Sequence, residues 1–352
     1  MIGPGMNAVS AYAAAAPNAP LVRTTIPRRA VGERDVLLEI KYCGICHTDI
    51  HQVRGDWGES IFPMVPGHEI SGIVVETGDR VRRYRAGDRV GVGCFVGSCR
   101  TCAHCLADQE QYCLQGPLST YNAMSEGAPT YGGYSTHIVV DEHFVLRIPD
   151  GIGLAEAAPL MCAGISVFSP LNHWHAGRGK STAVVGLGGL GHLGVKVARA
   201  MGAEVTVLSR SSGKEEDALR LGASRFLVTS DPARFAESRG SFDLIVNTVS
   251  ANVDLDAYLG LLKLDGTMVN IGVPEHPNSF GMFSLIGARR SLAGSLVGGV
   301  RETQEMLDFC AARGIGAEIE VIGADEINEA YKRVVDGDVR YRFVIDAASF
   351  AR

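Results

Sequence analysis

Short runs rich in Val, Ile and Leu, each ended by Gly, Pro or Asp, mark the first ~150 residues: DVLLEIKYC (35–43), ISGIVVETG (70–78), DRVGVG (88–93), GGYSTHIVV (132–140) and FVLRIP (144–149). Runs of this length between turn residues predict strands, and together a small barrel or sandwich. The middle of the chain changes character. STAVVGLGGLGHLGVKVARAMGAEVTVLS (181–209) reads as a strand, a glycine turn, a helix ending near Met201 and Gly202, and a second strand. Further strands are predicted at RFLVTS (225–230), FDLIVNT (242–248), GTMVNIG (266–272) and RSLAGSL (290–296), with helical patterns between several of them. Strand–helix alternation over ~130 residues predicts a parallel, doubly wound sheet. From about Glu302 the tail holds a helix (ETQEMLDFCAARG), a strand (AEIEVI), another helix (EINEAYKRVVDG) and a last strand (RYRFVID), placed back against the first domain.

At 352 residues the chain is long enough for two domains with separate cores. A hydrophobic content of 46% and a charged content of 20% exclude a disordered chain. The net charge of -6, with no basic run longer than the Arg pairs at 28–29, 82–83 and 289–290, argues against nucleic acid as a partner. Residues 1–22 are uncharged and alanine-rich, but Pro4, Pro17 and Pro20 interrupt them and a basic n-region is missing. They read as a frayed leader running into a first strand rather than a signal peptide. No later segment has the ~20 unbroken apolar residues of a membrane span. No membrane association is therefore expected, and the cytoplasm, where disulfides are disfavoured, is the expected compartment.

Cysteine usage adds the first chemistry. Four of the nine cysteines, Cys99, Cys102, Cys105 and Cys113, fall within GSCRTCAHCLADQEQYC (97–113). An odd total bunched in one polar segment does not suit a disulfide scaffold. Two residues between ligands let a loop turn its sulfurs inward to ~2.3 Å from one Zn²⁺, so a closed four-thiolate zinc site is the preferred reading. An iron–sulfur cluster uses the same donors, and the thiolate count alone leaves it open. The second motif is Gly186, Leu187, Gly188, Gly189, Leu190 and Gly191, a G-x-G-x-x-G between a predicted strand and a predicted helix. In that setting it predicts dinucleotide binding at the helix N-terminus. A carboxylate at the end of the second strand would hold the ribose 2′-hydroxyl of NAD. Here Ser209, Arg210, Ser211, Ser212 and Lys214 occupy that stretch, which suits a 2′-phosphate and favours NADP.

A third group, CGICHTDIH (43–51), PGHE (66–69) and Cys162, is not explained by spacing, and Cys43, His47, Cys94 and Cys310 read as ordinary structural residues. Taken together, CGICHTDIH, VPGHEISGIV, GDRVGVGCFVGSCRTCAHC with EQYC, APLMCAGISVFSP and GLGGLGHLGVKVARAMGAEVTV resemble the zinc-containing medium-chain dehydrogenase/reductases. The resemblance is strongest to cinnamyl alcohol dehydrogenase-like, NADP-dependent alcohol dehydrogenases and runs from about Asn7 to Ala348.

The resemblance implies an α/β plus β architecture: a GroES-like β-barrel catalytic domain (1–160, completed by 301–352) and a doubly wound Rossmann coenzyme domain (161–300). It implies two zinc ions per chain. Cys46, His68 and Cys162 would hold the catalytic one, with Glu69 a neighbouring or exchanging ligand, and Cys99, Cys102, Cys105 and Cys113 would hold the structural one. The implied reaction is hydride transfer between primary alcohols or aldehydes, aromatic or medium-chain, and NADP(H). Thr48 would bond the substrate oxygen and pass its proton through the nicotinamide ribose to His51, whose ordinary pKa near ~6.5 suits a shuttle. Cofactor contacts would also come from Ser166, Thr248, Gly272, Ser295, Leu296 and Val297, and pocket walls from Trp57, Phe95 and Leu296. Relatives often carry two adjacent cysteines where GSC stands at 97–99, a departure that leaves the four ligands intact; Arg210 within the serine-rich loop is a second departure, one that strengthens a 2′-phosphate site. A homodimer through the Rossmann sheet edge near 285–300 is expected by the same analogy. An NAD-linked polyol or formaldehyde dehydrogenase is the alternative within the superfamily. A crystallin-like structural protein would be expected to lose Cys46, His68, Cys162, Thr48 or His51, and all five are present.

Overall fold

The computed structural model describes residues 7–351 except Glu275, and all of their side chains but that of Asn7. The expectation for residues 1–6 lies outside these. The chain divides into two compact units, one running up to Cys162 and resuming at Gly298, the other Ala163–Val297.

In the first unit the ten-residue strand Asp35–Gly44 is the spine. It pairs antiparallel with Ile70–Thr77, His137–Asp141 and Arg342–Asp346. Arg89–Val92 and then Leu146–Arg147 extend the sheet on one side, and Ile319–Ile322 closes the other. The tail thus returns to this unit as two of its strands. Val36, Leu38, Ile40, Ile70, Val90, Ile138, Phe343 and Ile345 pack one continuous core. Each such side chain taken fully out of water contributes about 1.5–3 kcal/mol.

Three expectations change here. The first strand starts within the stretch expected to be a frayed leader: Asn7–Ala13 pairs with Val22–Arg28 as a hairpin, whose alternate residues enter the core at Val9, Ala11 and Ile26. Of GGYSTHIVV only His137–Asp141 is strand. Gly132, Gly133 and Tyr134 instead bond Val65, Gly67 and Pro66 backbone to backbone, which clamps the PGHE segment. Of FVLRIP only Leu146 and Arg147 pair, because a short 3₁₀ turn precedes them.

The second unit is a six-stranded parallel sheet in the order Arg225–Val228, Glu204–Ser209, Ser181–Val185, Phe242–Asn247, Leu262–Asn270, Ser291–Gly294. Its inner strands are buried almost end to end, as expected where helices cover both faces. The helix Gly191–Met201 stops at Gly202, whose φ of 96° a residue with a side chain would adopt at a cost. Among the described residues no single helix is long and apolar enough to cross a membrane.

Candidate active site

The four-cysteine segment is a loop with one turn of helix, Ala103–Leu106, and one 3₁₀ turn, Glu110–Tyr112. It brings Cys99, Cys102, Cys105 and Cys113 together with all four sulfurs within 4.8 Å of one another. None is in a disulfide. Backbone amides point at the sulfurs: Cys99 N donates to Cys113 Sγ (3.4 Å) and Cys102 N to Cys99 Sγ (3.3 Å). The amides of Thr101 and Cys102 pull the Cys99 thiol down to about 6. Amides aimed at sulfur favour thiolate, and four thiolates at one point fit a closed zinc site. The loop is also fastened to the rest of the unit, since the buried Glu110 carboxylate accepts from His143 Nε2 (2.8 Å) and from Val300 N (3.1 Å) at the start of the helix Val300–Ala311.

A second cluster lies elsewhere in the same unit. Cys46, His68, Glu69 and Cys162 are all buried, and a ligand atom from each lies within 4.8 Å of the others. Cys46 follows the spine strand and forms the N-cap of the helix His47–Arg54. His68 and Glu69 precede the strand Ile70–Thr77, and Cys162 ends the turn Ala158–Met161. A hydrogen bond from the Cys162 thiol, aided by His68, holds the Cys46 thiol well below the usual range. Burial opposes a charge on His68, but the Asp49 carboxylate beside it prevails and raises its pKa.

The Glu69 pKa is also raised, by burial, to about 7, against the pull of the Arg342 guanidinium. Glu69 Oε1 accepts from Arg342 Nη2 at 2.5 Å, while its buried Oε2 has no hydrogen-bond partner among the described residues. Two thiols, an imidazole and a carboxylate with one unsatisfied oxygen suit a borderline-soft divalent ion such as zinc. An unpaired buried oxygen costs stability until something occupies it.

Three contributors went unpredicted. Arg342 arrives from the far end of the chain and carries no spacing signal. Cys94, read as structural, has its thiol in a hydrogen bond with that of Cys162. Asp49 could have been found, because a carboxylate three residues beyond a helix N-cap closes a capping box, and its Oδ2 accepts from Cys46 N (2.9 Å).

Thr48 and His51 lie one turn apart on the helix His47–Arg54. His51 Nδ1 bonds Asp56 Oδ2 (2.8 Å), and its ring stacks on Trp57 at 4.7 Å. Trp57 is therefore half-exposed beside His51, while Phe95 turns edge-on to Phe144 at 6.1 Å and packs on the core.

In the second unit the glycine loop behaves as its motif requires. Gly186 has a φ of 87°, and a side chain there would collide with Val249. A side chain on Gly191 would strike the Gly186 carbonyl, so the helix start and strand end can pack only through glycine. Around Gly188 there is no atom within 4 Å of where a Cβ would sit, which leaves the cradle open for a pyrophosphate. Lys214 Nζ bonds Leu187 O (2.9 Å) and ties the loop after the second strand to the glycine turn. Arg210 and Ser211 are exposed on that loop. Thr248 Oγ1 bonds Val185 O (2.7 Å), Gly272 N bonds Asn247 O (3.2 Å) and Ser295 N bonds Asn270 O (3.2 Å), so all three sit at the carboxyl ends of neighbouring strands. Ser166 is buried on the helix Ala163–His173, and Leu296 is exposed.

The alcohol dehydrogenase GroES-like domain model matches residues 32–150, and the zinc-binding dehydrogenase model matches residues 189–312. The NADP-dependent alcohol dehydrogenase C 1 of Mycolicibacterium smegmatis is 61% identical over 98% of this chain and 99% of its own. A solved cinnamyl alcohol dehydrogenase from Sorghum bicolor superposes with a TM-score of 0.94 at 43% identity, covering 97% of this chain and 98% of that one. The cinnamyl alcohol dehydrogenase of Helicobacter pylori, solved with NADP(H), gives a TM-score of 0.92 at 40% identity over 97% and 99%. With both of its characteristic domains present and that identity held over nearly its whole length, the chain belongs to the zinc-binding alcohol dehydrogenase family.

Proposed function

We propose that this enzyme interconverts primary alcohols and aldehydes, aromatic or medium-chain, by hydride exchange with NADP(H), at the cluster of Cys46, His68 and Cys162. The observation that carries this reading is the difference between the two cysteine sites. One has four thiols, which fill a tetrahedral shell; the other has two thiols, an imidazole and a carboxylate, Glu69, that already has Arg342 as a partner. A donor with a standing alternative can yield its place to a substrate oxygen. When bound, zinc polarises that oxygen as a Lewis acid and NADP(H) carries the hydride.

The chain's own residues do the rest. Cys46, His68 and Cys162 bind the metal, and Arg342 keeps the Glu69 carboxylate withdrawn. Thr48, two residues beyond Cys46, holds the hydroxyl proton of the substrate. His51, one helical turn further and hydrogen-bonded to Asp56, passes it to solvent. Trp57 screens His51 and borders the pocket.

Preference for NADP rests on the loop at 209–214, where Ser209, Arg210, Ser211 and Lys214 stand and no carboxylate repels a 2′-phosphate. Turnover of a benzaldehyde and cinnamaldehyde panel with NADPH and with NADH tests this. NADPH is expected to be preferred, and Arg210→Asp to raise KM for NADPH roughly 10- to 100-fold, the value of a charge-assisted hydrogen bond, with little change for NADH. Equal effects on both cofactors would remove Arg210 from the phosphate site.

The same reading makes the protein a homodimer. The edge strand Ser291–Gly294 pairs, among the described residues, with one neighbour only, and the adjoining turn exposes Met282, Phe283 (83%) and Ile286. Two such edges meeting across a two-fold axis would continue the sheet and cover this patch. Phe283→Asp is expected to weaken the dimer by about 2 kcal/mol or more and to give monomer in sedimentation at low concentration. A dimer of undiminished affinity would move the interface elsewhere. Nine cysteines, none in a disulfide, suit a reducing compartment, which makes the cytoplasm the proposed location.

A further inference from the structure

Asp49 is fully buried, and both of its oxygens are doubly engaged. Oδ1 accepts from Gly67 N (3.1 Å) and faces His68 Nδ1 (3.1 Å); Oδ2 accepts from Cys46 N (2.9 Å) and from the Tyr134 hydroxyl (3.3 Å). A carboxylate accepts only, so the proton between it and His68 sits on Nδ1, and Nε2 is the nitrogen turned toward Cys46 and the other metal-binding groups. One side chain therefore orients two of the metal-binding residues at once. Three of these four donors belong to the segments that carry those residues; Tyr134, like Tyr121, whose hydroxyl also faces the carboxylate, does not.

Tyr134 comes from the 132–136 turn and is 0% exposed. Its hydroxyl in turn accepts from the hydroxyl of Tyr331 (3.3 Å), on the helix Ile327–Asp336. The donors thus converge on the carboxylate, from Tyr331 through Tyr134 on one side and from the imidazole on the other. Burying a hydroxyl costs free energy unless it is paired, and phenylalanine would fill the same space without that cost. The backbone of the turn is pinned independently. Tyr134 N bonds Pro66 O (2.9 Å), Tyr12 N bonds Tyr134 O (2.9 Å), and the buried Arg28 donates to Tyr131 O, Gly132 O and Ser135 Oγ. The ring is therefore fixed whether or not its hydroxyl is present, and the hydroxyl is left to act on the carboxylate.

We propose that Tyr134, backed by Tyr331, is a positioning residue for the catalytic metal: its hydroxyl locks the rotation of the Asp49 carboxylate, and the carboxylate locks His68. This rests on the reading that Cys46, His68 and Cys162 hold zinc. Without the hydroxyl the Gly67 and Cys46 amides still hold one oxygen each, but Oδ2 loses its second donor, so the carboxylate is held less tightly and the aim of the imidazole loosens with it.

Zinc release from the purified full-length enzyme into excess chromogenic chelator measures this directly, with elemental analysis giving the total and a Cys46→Ser variant identifying the catalytic-site phase. Tyr134→Phe is expected to speed that phase roughly tenfold, at the low end of what loss of an outer partner costs. The four-cysteine phase and Tm should stay as in the wild type. Tyr331→Phe should act in the same direction and less. Asp49→Asn should act more strongly, and adding Tyr134→Phe to it should change nothing further, because residues that act through one another are not additive.

A wild-type rate in Tyr134→Phe, or acceleration of both phases together with a lower Tm, would overturn the proposal and leave Tyr134 a packing residue. If Asp49→Asn does not fold, the two tyrosine variants decide the matter alone. A wild-type enzyme that releases a single zinc fails the underlying metal assignment and takes this proposal with it.

Discussion

Cys46→Ser enzyme is expected to fold normally, to retain one zinc where the wild type carries two, and to lose turnover by on the order of 10³-fold or more, the equivalent of the several kcal/mol a Lewis acid supplies. Serine is itself a favoured N-cap, so the helix His47–Arg54 should persist. The Asp49 bond to the residue 46 amide is to backbone and survives the change. What is lost is a thiolate. His68, Glu69 and Cys162 remain, and with a neutral hydroxyl in place of sulfur they hold zinc far more weakly. Elemental analysis, circular dichroism and turnover on one preparation check all three expectations. Two retained zincs, or full activity with one, would dissociate the chemistry from this cluster.

The second large effect is on stability. Cys99→Ser is expected to empty the four-cysteine site and to lower folding stability steeply, since a structural zinc contributes on the order of 10 kcal/mol or more to the fold around it. The segment has little else to hold it together. Leu106 within it and Leu114 just beyond it are 73% and 69% exposed, so the loop buries little apolar surface to offset the entropy of ordering it. Glu110 transmits the loss to the start of the helix Val300–Ala311, whose first amide it caps. Thermal unfolding with and without chelator separates this from the catalytic effect: Cys46→Ser should leave Tm nearly unchanged and Cys99→Ser should not. Equal Tm values for the two variants would mean that the four-cysteine metal is dispensable to the fold.

These outcomes bear on how far a sequence can be read without a structure. The parallel sheet was legible because its buried strands are continuous apolar runs and its turn glycines have no substitutes. The four-cysteine site was legible because its ligands are neighbours along the chain. The hairpin over residues 7–28 was not, because Ala and Pro obscure the alternation that places Val9, Ala11 and Ile26 in the core. Gly132 to Ser135 looked like the start of a strand because the glycines there serve a close backbone approach, which leaves no periodicity. The catalytic cluster itself became visible only through family likeness, since Cys46, His68 and Cys162 are brought together by tertiary folding. Arg342, Tyr134 and Tyr331 lie still further out of reach, each contributing one polar contact from a segment whose pattern reports only its own strand, turn or helix.

The pairing of Glu69 with Arg342 also has a meaning in the order of synthesis. Every metal-binding residue of the active centre has left the ribosome once Cys162 has, but the strand Arg342–Asp346 begins 180 residues later, from 162 to 342. Until it docks beside the spine strand, the buried Glu69 carboxylate lacks its counter-charge, and the sheet that surrounds the centre lacks its two outer strands. The nascent chain therefore carries a complete set of ligands in an incomplete pocket, and its competence to hold the metal in working form arrives only with the strand Arg342–Asp346.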